Sequence, residues 1–369
     1  MASRSIVNSM NGKELELDKV LGSHRGEKHA IIIPDFPDSD AIASAFTHQL
    51  ISLQYNISAD IFYWGKINNP QDIVLVKLLD IELIRYSETL DFSGYDGSVF
   101  IGTQGTTTTL RQILEASHVK PILVIDHHEE EDFIHAEFHD IRKASSTSFI
   151  YTDYLKKGLL KLERSNPTHI KCATALMYGI MYKTDRYIWA KEEDFQAVAF
   201  LSNYADSSLL EEIVNQSRSK KVMDVIQKAL ESRVIKQNYS IAGVGYLRAE
   251  DRNAIHQAAD FLLTEENVHT AIVYAILQNG NREVLSGSFR TRKLTLDPDE
   301  FLREAFGRGE IEVYYEGKSQ KVRGFEIPIF FLAGTGGEEY NTLKWRVYDM
   351  QVKQKLFNKI GVSEEREET

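Results

Sequence analysis

The stretch PDFPDSDAIASAF, residues 34–46, decides the fold class of this chain. It follows the apolar run AIII, carries the acids Asp35, Asp38 and Asp40, and leads into small residues typical of a packed helix. A strand that ends in acids at the start of a helix is typical of sites in parallel α/β sheets, which lie beyond the carboxyl ends of the strands. The three acids are therefore interpreted as metal ligands, as helix caps, or as the remains of a lost site.

The same alternation continues along the chain. Apolar runs precede amphipathic stretches in HAIIIPD and AIASAFTHQLISLQ, in ISADIFYW and PQDIVLVKLLD, in GSVFIGT and TLRQILEAS, and PILVIDHH follows. This rhythm predicts an α/β fold with a parallel sheet and covering helices. Later strand-like runs predict a second, smaller α+β domain. The expected segments are an α/β domain over 1–210, a connecting helix over 211–238, the smaller domain over 239–345, and a C-terminal helix and tail over 346–369.

The composition limits the classes of function. The chain has 369 residues, of which 43% are hydrophobic and 26% charged, and a formal net charge of −11. These values indicate ordinary globular domains and disfavour nonspecific wrapping of nucleic acid. No apolar run approaches the roughly 20 residues that span a bilayer, and the N-terminus lacks the apolar segment of a secretory signal, so we expect a cytoplasmic protein without membrane contact. The single cysteine, Cys172, lies in an apolar context that predicts a core position.

A second strand end carries further polar side chains. In ILVIDHHEEE, residues 122–131, the side chains of Asp126, His127 and His128 follow the last apolar run of the predicted sheet. Because the carboxyl ends of parallel strands share one edge, we expect these side chains to lie close to Asp38 and Asp40. Carboxylate oxygens and neutral imidazole nitrogens are ligands that Mn²⁺ or Mg²⁺ accepts. Such a cluster suits the hydrolysis of a phosphate ester.

Taken in order, these motifs resemble the DHH phosphoesterase superfamily, which includes RecJ-like exonucleases, nanoRNases, cyclic-dinucleotide phosphodiesterases and family II pyrophosphatases. The resemblance covers most of the chain. It comprises PDFPDSDAIASA, VIDHH, the small-hydroxyl stretch KASSTSFIYTDYL, the stretch ATALMYGIMYKTDRY and, in the second domain, SGSFRTR at the position of an anion-binding strand. It implies a DHH domain followed by a DHH-associated substrate-binding domain.

The metal positions that the resemblance implies are altered in this chain. The family has a His, a bridging Asp and another Asp where this chain has Pro34, Gly102 and Lys183. The residual ligand candidates are Asp38, Asp40 and His127. A two-metal phosphoesterase holds its ions about 3.5 to 4 Å apart. We therefore expect no dinuclear centre, and no cofactor unless Mn²⁺ or Mg²⁺ occupies the residual site.

Lys183 indicates what could replace the metal charge. An ammonium among Asp38, Asp40 and Asp126 would neutralise carboxylates whose burial without a partner is costly. Helix capping by Asp38 and Asp40 is the structural alternative. The functional alternative is a one-metal enzyme with Lys183 in place of the other cation. Its catalytic residues would be Asp38, Asp40, His127, His128 and Lys183, with Asp35 assisting.

Ligand contacts are expected at two further places. The resemblance implies that His128 contacts phosphate, and the hydroxyls of Ser145, Ser146 and Thr147 either bind the same ligand or cap the following helix. In the second domain the positive charges of Arg290, Arg292 and Arg323 suit a phosphate. Further positive charge there comes from Arg308, Lys293, Lys318 and Lys321. The structural alternative for the three lysines is that they keep an exposed edge strand from aggregating. Ser319 or a neighbour replaces a family His, and FFLAGTGGEEYN, residues 330–341, is interpreted as a turn.

We therefore expect a degenerate DHH-family protein that does not hydrolyse phosphodiesters. It would bind a nucleotide, a short oligonucleotide or a protein partner in the cleft between its domains, as a regulator. One alternative is an active manganese-dependent phosphodiesterase acting on dinucleotides, cyclic dinucleotides or short oligonucleotides through a reduced one-metal site. The other is a scaffold in a larger assembly. Homodimers occur among the relatives, which leaves a homodimer open.

Overall fold

The computed structural model describes residues 12–67, 69–130, 134–215, 218–279, 282–308, 310–315, 322–329 and 337–361. Its contacts divide the chain into a first unit, Met1–Gln216, and a second unit, Ser217–Thr369. None of the helices in the described ranges is long and apolar enough to cross a membrane. Lys318, Ser319, Lys321 and residues 330–336 lie outside the described residues, so the expectations for them are not addressed by the structure.

The first unit is built on a parallel sheet of six strands. The strands are β1 Lys28–Ile32, β2 Ser58–Tyr63, β3 Leu83–Arg85, β4 Gly97–Ile101, β5 Lys120–Asp126 and β6 Phe138–Ile141. The helices are α1 Lys13–Ser23, α2 Ser39–Leu53, α3 Pro70–Leu78, α4 Leu110–Ala116, α5 Thr147–Lys156, α6 Pro167–Lys183, α7 Glu192–Leu201 and α8 Ser207–Val214. The strand order is β3-β2-β1-β4-β5-β6, and every pairing is parallel. The predicted α/β class is confirmed.

The strand order reverses between β1 and β4. Strand β1 pairs with β2 on one side and with β4 on the other, and β4 continues the sheet to β5. Ligands of open α/β sheets bind at such a reversal, beyond the carboxyl ends of the strands. The segments that follow β1, β4 and β5 contain the residues that the sequence singled out, and they meet at this edge.

Three helices, α2, α5 and α6, pack against one another beside this edge. Their close approach depends on Gly179 in α6. A Cβ atom at this position would lie 2.2 Å from Ser148 Oγ and 3.3 Å from the Cα atom of Asp40. Cys172 lies in the same helix and is fully buried, as predicted, and burial raises the pKa of its thiol to about 12. The helix trio therefore holds the start of α2 and the start of α5 in fixed positions.

The second unit is an α+β domain with its own six-stranded sheet. The strands are β7 Val234–Lys236, β8 Tyr239–Arg248, β9 Thr270–Asn279, β10 Arg282–Thr291, β11 Glu312–Tyr315 and β12 Val322–Pro328. The helices are α9 Lys220–Ser232, α10 Asn253–Leu262, α11 Pro298–Phe306 and α12 Glu338–Ile360, with a 3₁₀ helix at Ala249–Asp251. The order is β11-β12-β10-β9-β8-β7, and only the β8–β9 pairing is parallel. One hydrophobic cluster joins the sheet to α9 and α10, and another joins it to α11 and α12.

The boundary between the units differs from the expected connecting helix over 211–238. Helix α8 ends at Val214 in the first unit, and α9 begins at Lys220 in the second. The apolar side chains of α9, Val222, Val225, Ile226 and Ala229, are buried in the second unit's core. A helix with a polar outer face thus packs on a sheet instead of linking two domains. The C-terminal helix also begins earlier than expected, at Glu338.

Candidate functional site

Asp38 serves as a helix cap and as an ion-pair partner. It precedes α2, where its carboxylate accepts a hydrogen bond from the backbone N–H of Ala41 at 3.1 Å. Its Oδ2 lies 2.7 Å from Nζ of Lys183, at the end of α6. Burial would raise the pKa of Asp38, but the charge of Lys183 and the hydrogen bonds from Lys183 and Ala41 lower it. The carboxylate is therefore ionised at neutral pH.

Lys183 is the counter-ion of Asp38. Only 6% of its side chain is exposed, and its Nζ lies 3.9 Å from Oδ2 of Asp40. Burial would lower the pKa of Lys183, but the charges of Asp38, Asp40 and Asp126 raise it above its usual value. The ammonium is thus retained throughout the physiological range, and the ion pair expected from the sequence is confirmed with Asp38.

Asp40 binds the N-terminus of α5. Its two carboxylate oxygens accept hydrogen bonds from the backbone N–H groups of Thr147 at 3.0 Å and Ser148 at 2.7 Å. The side chain is 1% exposed. Backbone amides at a helix start carry a partial positive charge that favours a buried carboxylate. Asp40 therefore has structural partners for both of its oxygens.

His127 lies between Asp40 and the start of α5. Its Nδ1 is 2.9 Å from Thr147 Oγ1 and 3.6 Å from Oδ2 of Asp40. Burial lowers the pKa of His127, and the charges of Lys183 and His128 lower it further while Asp40 opposes them. The ring is neutral at pH 7 as a result.

Asp126 and His128 form the outer part of the site. His128 Nδ1 lies 2.9 Å from Oδ1 of Asp126, and this hydrogen bond raises the pKa of His128. Burial would raise the pKa of Asp126, but the hydrogen bond and charge of His128 outweigh it and lower it. The His128 side chain is 49% exposed. It presents a ring of raised basicity to a ligand at the strand ends.

Gln104 was not identified from the sequence. Its Nε2 donates to Oδ2 of Asp126 and to the backbone oxygen of Glu129, both at 2.9 Å. It follows β4 by three residues, at the loop where the resemblance implies a bridging acid. This position could have identified Gln104 from the sequence, because a residue just beyond the end of a central strand lies at the same sheet edge as Asp126.

Gly102 occupies the position of the acid that the resemblance implies, in a conformation that disfavours a side chain. Its φ is +66°, a left-handed conformation that favours glycine, and a Cβ atom would lie 3.3 Å from Cβ of Ala41. Asp35 is engaged elsewhere, because its carboxylate accepts hydrogen bonds from the hydroxyl of Thr108 at 3.2 Å and from the backbone N–H and hydroxyl of Thr109 at 3.0 and 2.6 Å. The suggested assisting role of Asp35 is not supported.

The residues present do not fit a dinuclear metal centre. Pro34 and Gly102 have no ligand atoms in their side chains, and Lys183 places a cation beside Asp38. The ligand atoms of the residual set, Asp38, Asp40 and His127, do not all lie within 4.8 Å of one another. Within the described residues two groups meet this limit, Asp126 with His127 and His128, and His24 with Glu27 and His29.

The three hydroxyl residues before α5 have separate partners. Ser145 Oγ donates to Asp194 Oδ1. Ser146 caps α5, since its Oγ accepts from the backbone N–H of Phe149 at 2.9 Å. Thr147 contacts His127, as described above. The capping alternative therefore holds for Ser146, and of the three only Thr147 has a hydrogen bond to a strand-end residue.

The arginines of the second unit do not converge as expected. In the register of β10 and β12, Arg323 lies opposite Phe289 and Arg290 opposite Val322. Side chains of neighbouring strand positions point to opposite faces, so Arg290 and Arg323 lie on different faces of the sheet. Arg290 Nε donates to Asp260 Oδ1 at 2.6 Å. Arg292 follows β10 and is exposed. A single phosphate cannot be bound by Arg290 and Arg323 together.

Comparisons with known proteins support the fold. No family model matches the chain. The uncharacterized protein MJ1633 of Methanocaldococcus jannaschii is 32% identical over 332 residues, which are 89% of this chain and 63% of that protein, so the chain spans less than two thirds of its relative.

Two solved structures are similar. An exopolyphosphatase-related protein from Bacteroides fragilis has a TM-score of 0.62 at 16% identity, over 92% of this chain and 97% of that chain. RecJ in complex with Mn²⁺ from Thermus thermophilus has a TM-score of only 0.42 at 13% identity, over 95% and 55% of the two chains. The chain shares the fold of this exopolyphosphatase-related protein.

Proposed function

We propose that this protein binds a phosphate-containing ligand, a nucleotide or a short oligonucleotide, at the strand ends of its first unit and acts as a regulator without dinuclear-metal catalysis. A protein partner could be recruited through the same site. The observation that carries the proposal is the ion pair of Lys183 with Asp38. It places a permanent cation where the DHH resemblance implies a metal-ligating carboxylate. The cytoplasmic location expected from the sequence is part of this proposal.

The electrostatics of Asp38, Asp40 and Asp126 support a strand-end site that does not require a metal. Asp38 is neutralised by Lys183, Asp40 by the amides of α5, and Asp126 by His128 and Gln104. Each of these carboxylates has a partner, which offsets part of the cost of removing it from water. A divalent cation would have to displace Lys183 to reach Asp38. Metal binding in the family arrangement is therefore opposed by charge repulsion.

His128 is the group best placed to meet an anionic ligand. It is half-exposed, its pKa is raised, and it lies at the reversal of strand order where ligands of such sheets bind. A charge-assisted hydrogen bond from an imidazolium to a phosphate oxygen contributes about 1.5–3 kcal/mol. We expect His128→Asn to weaken the binding of a dinucleotide about tenfold or more, with little effect on folding. Titration of the wild type and the variant with a fluorescent dinucleotide measures this.

The absence of dinuclear catalysis is tested by metal analysis and activity together. After equilibration with Mn²⁺ and desalting, the wild type should retain no manganese at the strand ends and should not cleave dinucleotides, cyclic dinucleotides or short oligonucleotides. Two retained equivalents together with cleavage that Asp40→Ala abolishes would refute the proposal.

Lys183→Asp provides the matched gain-of-binding variant. It removes the cation and adds a carboxylate beside Asp38 and Asp40, so it should be less stable than the wild type in a chelator and should recover stability on addition of Mn²⁺. Lys183→Met removes the cation without adding a ligand. It should be destabilised in the same way but should show no manganese rescue.

A one-metal site is the second candidate, and one observation favours it. Ligand atoms of Asp126, His127 and His128 lie within 4.8 Å of one another. One retained manganese equivalent that is lost in His128→Asn would support this candidate and a manganese-dependent phosphodiesterase. Unchanged metal content in His128→Asn would exclude it.

A further inference from the structure

A second cluster of ligating side chains lies away from the strand ends. His24 and Glu27 belong to the connection between α1 and β1, and His29 is the second residue of β1. This is the amino end of the strand, whereas the site described above follows its carboxyl end. His29 is fully buried, the His24 side chain is 14% exposed, and that of Glu27 is 32% exposed. The cluster therefore has a buried base and an opening at Glu27.

The three donor atoms converge on one point. Glu27 Oε2 lies 2.8 Å from His24 Nδ1 and 3.0 Å from His29 Nε2, and the three atoms all lie within 4.8 Å of one another. Zinc binds imidazole nitrogen and carboxylate oxygen at about 2.0–2.2 Å, so tetrahedral ligands are about 3.3 Å apart. Small rotations of Glu27 and His24 would open the present contacts to that spacing.

The surroundings match those of a metal-bound histidine. The other ring nitrogen of His24, Nε2, lies 3.1 Å from Oε2 of Glu137, just before β6. Ligating histidines commonly donate their second N–H to a carboxylate, which fixes the tautomer and the ring orientation. In this structure Nδ1 donates to the carboxylate of Glu27, and a bound metal would take the place of that proton while Nε2 keeps its hydrogen bond to Glu137.

We infer that His24, Glu27 and His29 form a binding site for a divalent transition metal, with Zn²⁺ as the ion that the ligands fit best, and that Glu137 orients His24. Two imidazoles and one carboxylate form a borderline donor set, preferred by zinc over magnesium or calcium. Water would complete the tetrahedron on the open side. The ion would join the α1–β1 connection to β1, and the hydrogen bond between His24 and Glu137 would link this site to the start of β6. This inference is independent of the proposed function.

The test is zinc binding by the full-length protein. Protein treated with chelator is titrated with Zn²⁺, retained zinc is counted by elemental analysis, and the visible absorption of Co²⁺ reports nitrogen ligation. The wild type, His24→Gln and Glu137→Gln are compared. Two control variants are His118→Asn, which removes a histidine elsewhere in the first unit, and His128→Asn, which disrupts the strand-end cluster. The thermal midpoint is recorded with and without Zn²⁺.

One equivalent is expected in the wild type and in both controls, and none in His24→Gln. Zinc should raise the thermal midpoint of the wild type but not that of His24→Gln. Glu137→Gln keeps all three ligands and should bind zinc about 10–100-fold more weakly. If His24→Gln does not fold, Glu137→Gln decides the matter, since unchanged affinity would overturn the inference. Absence of saturable zinc in the wild type, or loss of zinc in His128→Asn alone, would also overturn it.

Discussion

At the scale of single residues, one lysine changes the chemistry of the strand ends. Lys183 lies where the DHH resemblance implies a carboxylate, and it pairs with Asp38 while remaining 6% exposed. An ion pair of this kind adds little net stability compared with apolar residues, but removing Lys183 leaves Asp38, whose side chain is only 27% exposed, without its counter-ion. Asp38 therefore depends on the ammonium of Lys183 for charge compensation.

We expect Lys183→Met to lower the free energy of unfolding by about 3 kcal/mol, because Asp38 and Asp40 lose their counter-ion. Urea unfolding of both proteins at pH 7 measures the loss. The matched control is Lys143→Met, which removes an exposed lysine paired with Glu129 and should leave stability unchanged. Equal stability of Lys183→Met and the wild type would show that the ion pair is not needed.

Asp72 is a second acid in the first unit, and its burial predicts a pH-dependent stability. Asp72 in α3 is 2% exposed and accepts a hydrogen bond from Ser39 Oγ. Burial raises its pKa to about 7, partly offset by Ser39 and reinforced by the charge of Asp38. In the unfolded chain an aspartate has a pKa of about 3.9. Between these values the native state binds more protons than the unfolded state, so stability falls as pH rises.

Asp72→Asn should remove this dependence, because the amide stays neutral. The variant is expected to gain stability relative to the wild type from about pH 4 to about pH 7, by up to about 4 kcal/mol, and the difference should then level off. Denaturant unfolding at several pH values gives the difference directly. A difference that does not vary with pH would contradict the raised pKa.

At the scale of secondary-structure elements, the contact of α6 with α2 and α5 sets the positions of the strand-end residues. Gly179 allows this contact, since a Cβ atom would meet Ser148 Oγ at 2.2 Å. The same helices carry Asp40 near the start of α2, Lys183 at the end of α6, and Thr147 at the start of α5. A displacement of α6 would therefore reach the ion pair.

Gly179→Ala should destabilise the first unit by about 1–3 kcal/mol through overpacking against α5. Removing the hydroxyl with Ser148→Ala in the same chain should restore part of the loss, while Ser148→Ala alone provides the baseline. Thermal or urea unfolding of the four proteins completes the cycle. Strictly additive effects would show that Gly179 and Ser148 do not interact.

Much of the arrangement of strands and helices could be predicted from the sequence. The apolar runs of the first unit follow the strand and helix periods closely, and Lys183 could be placed beside Asp38 because both belong to ordered motifs. The faces of Arg290 and Arg323 could not be predicted, since they depend on the register of β10 with β12. Nor could the partners of Asp35 and Gln104, which come from loops whose path follows from packing rather than pattern.

At the scale of the whole molecule, the chain consists of two units with separate cores. The hydrophobic clusters of the first unit comprise residues between Leu15 and Val214, and those of the second lie between Val222 and Ile360. Each unit has a six-stranded sheet covered by its own helices. A domain with its own core can in principle fold alone.

We therefore expect a fragment of residues 1–216 to fold independently and to unfold in one cooperative transition. Circular dichroism and urea unfolding test this, with the full chain as reference. The fragment should also retain the effect of Lys183→Met, because the ion pair lies within it. A fragment without a cooperative transition would show that the first unit depends on the rest of the chain.

The pair between Asp38 and Lys183 also bears on how the first unit opens. It joins the start of α2 to the end of α6, residues far apart in the chain. If α6 detached locally, Asp38 and Asp40 would lose the ammonium of Lys183. Partial opening at this point would therefore cost electrostatic free energy in addition to packing. Hydrogen exchange of the buried amides in α2 and α6 should therefore proceed through a shared, large-scale opening. The ion pair would thereby couple the opening of α6 to that of α2.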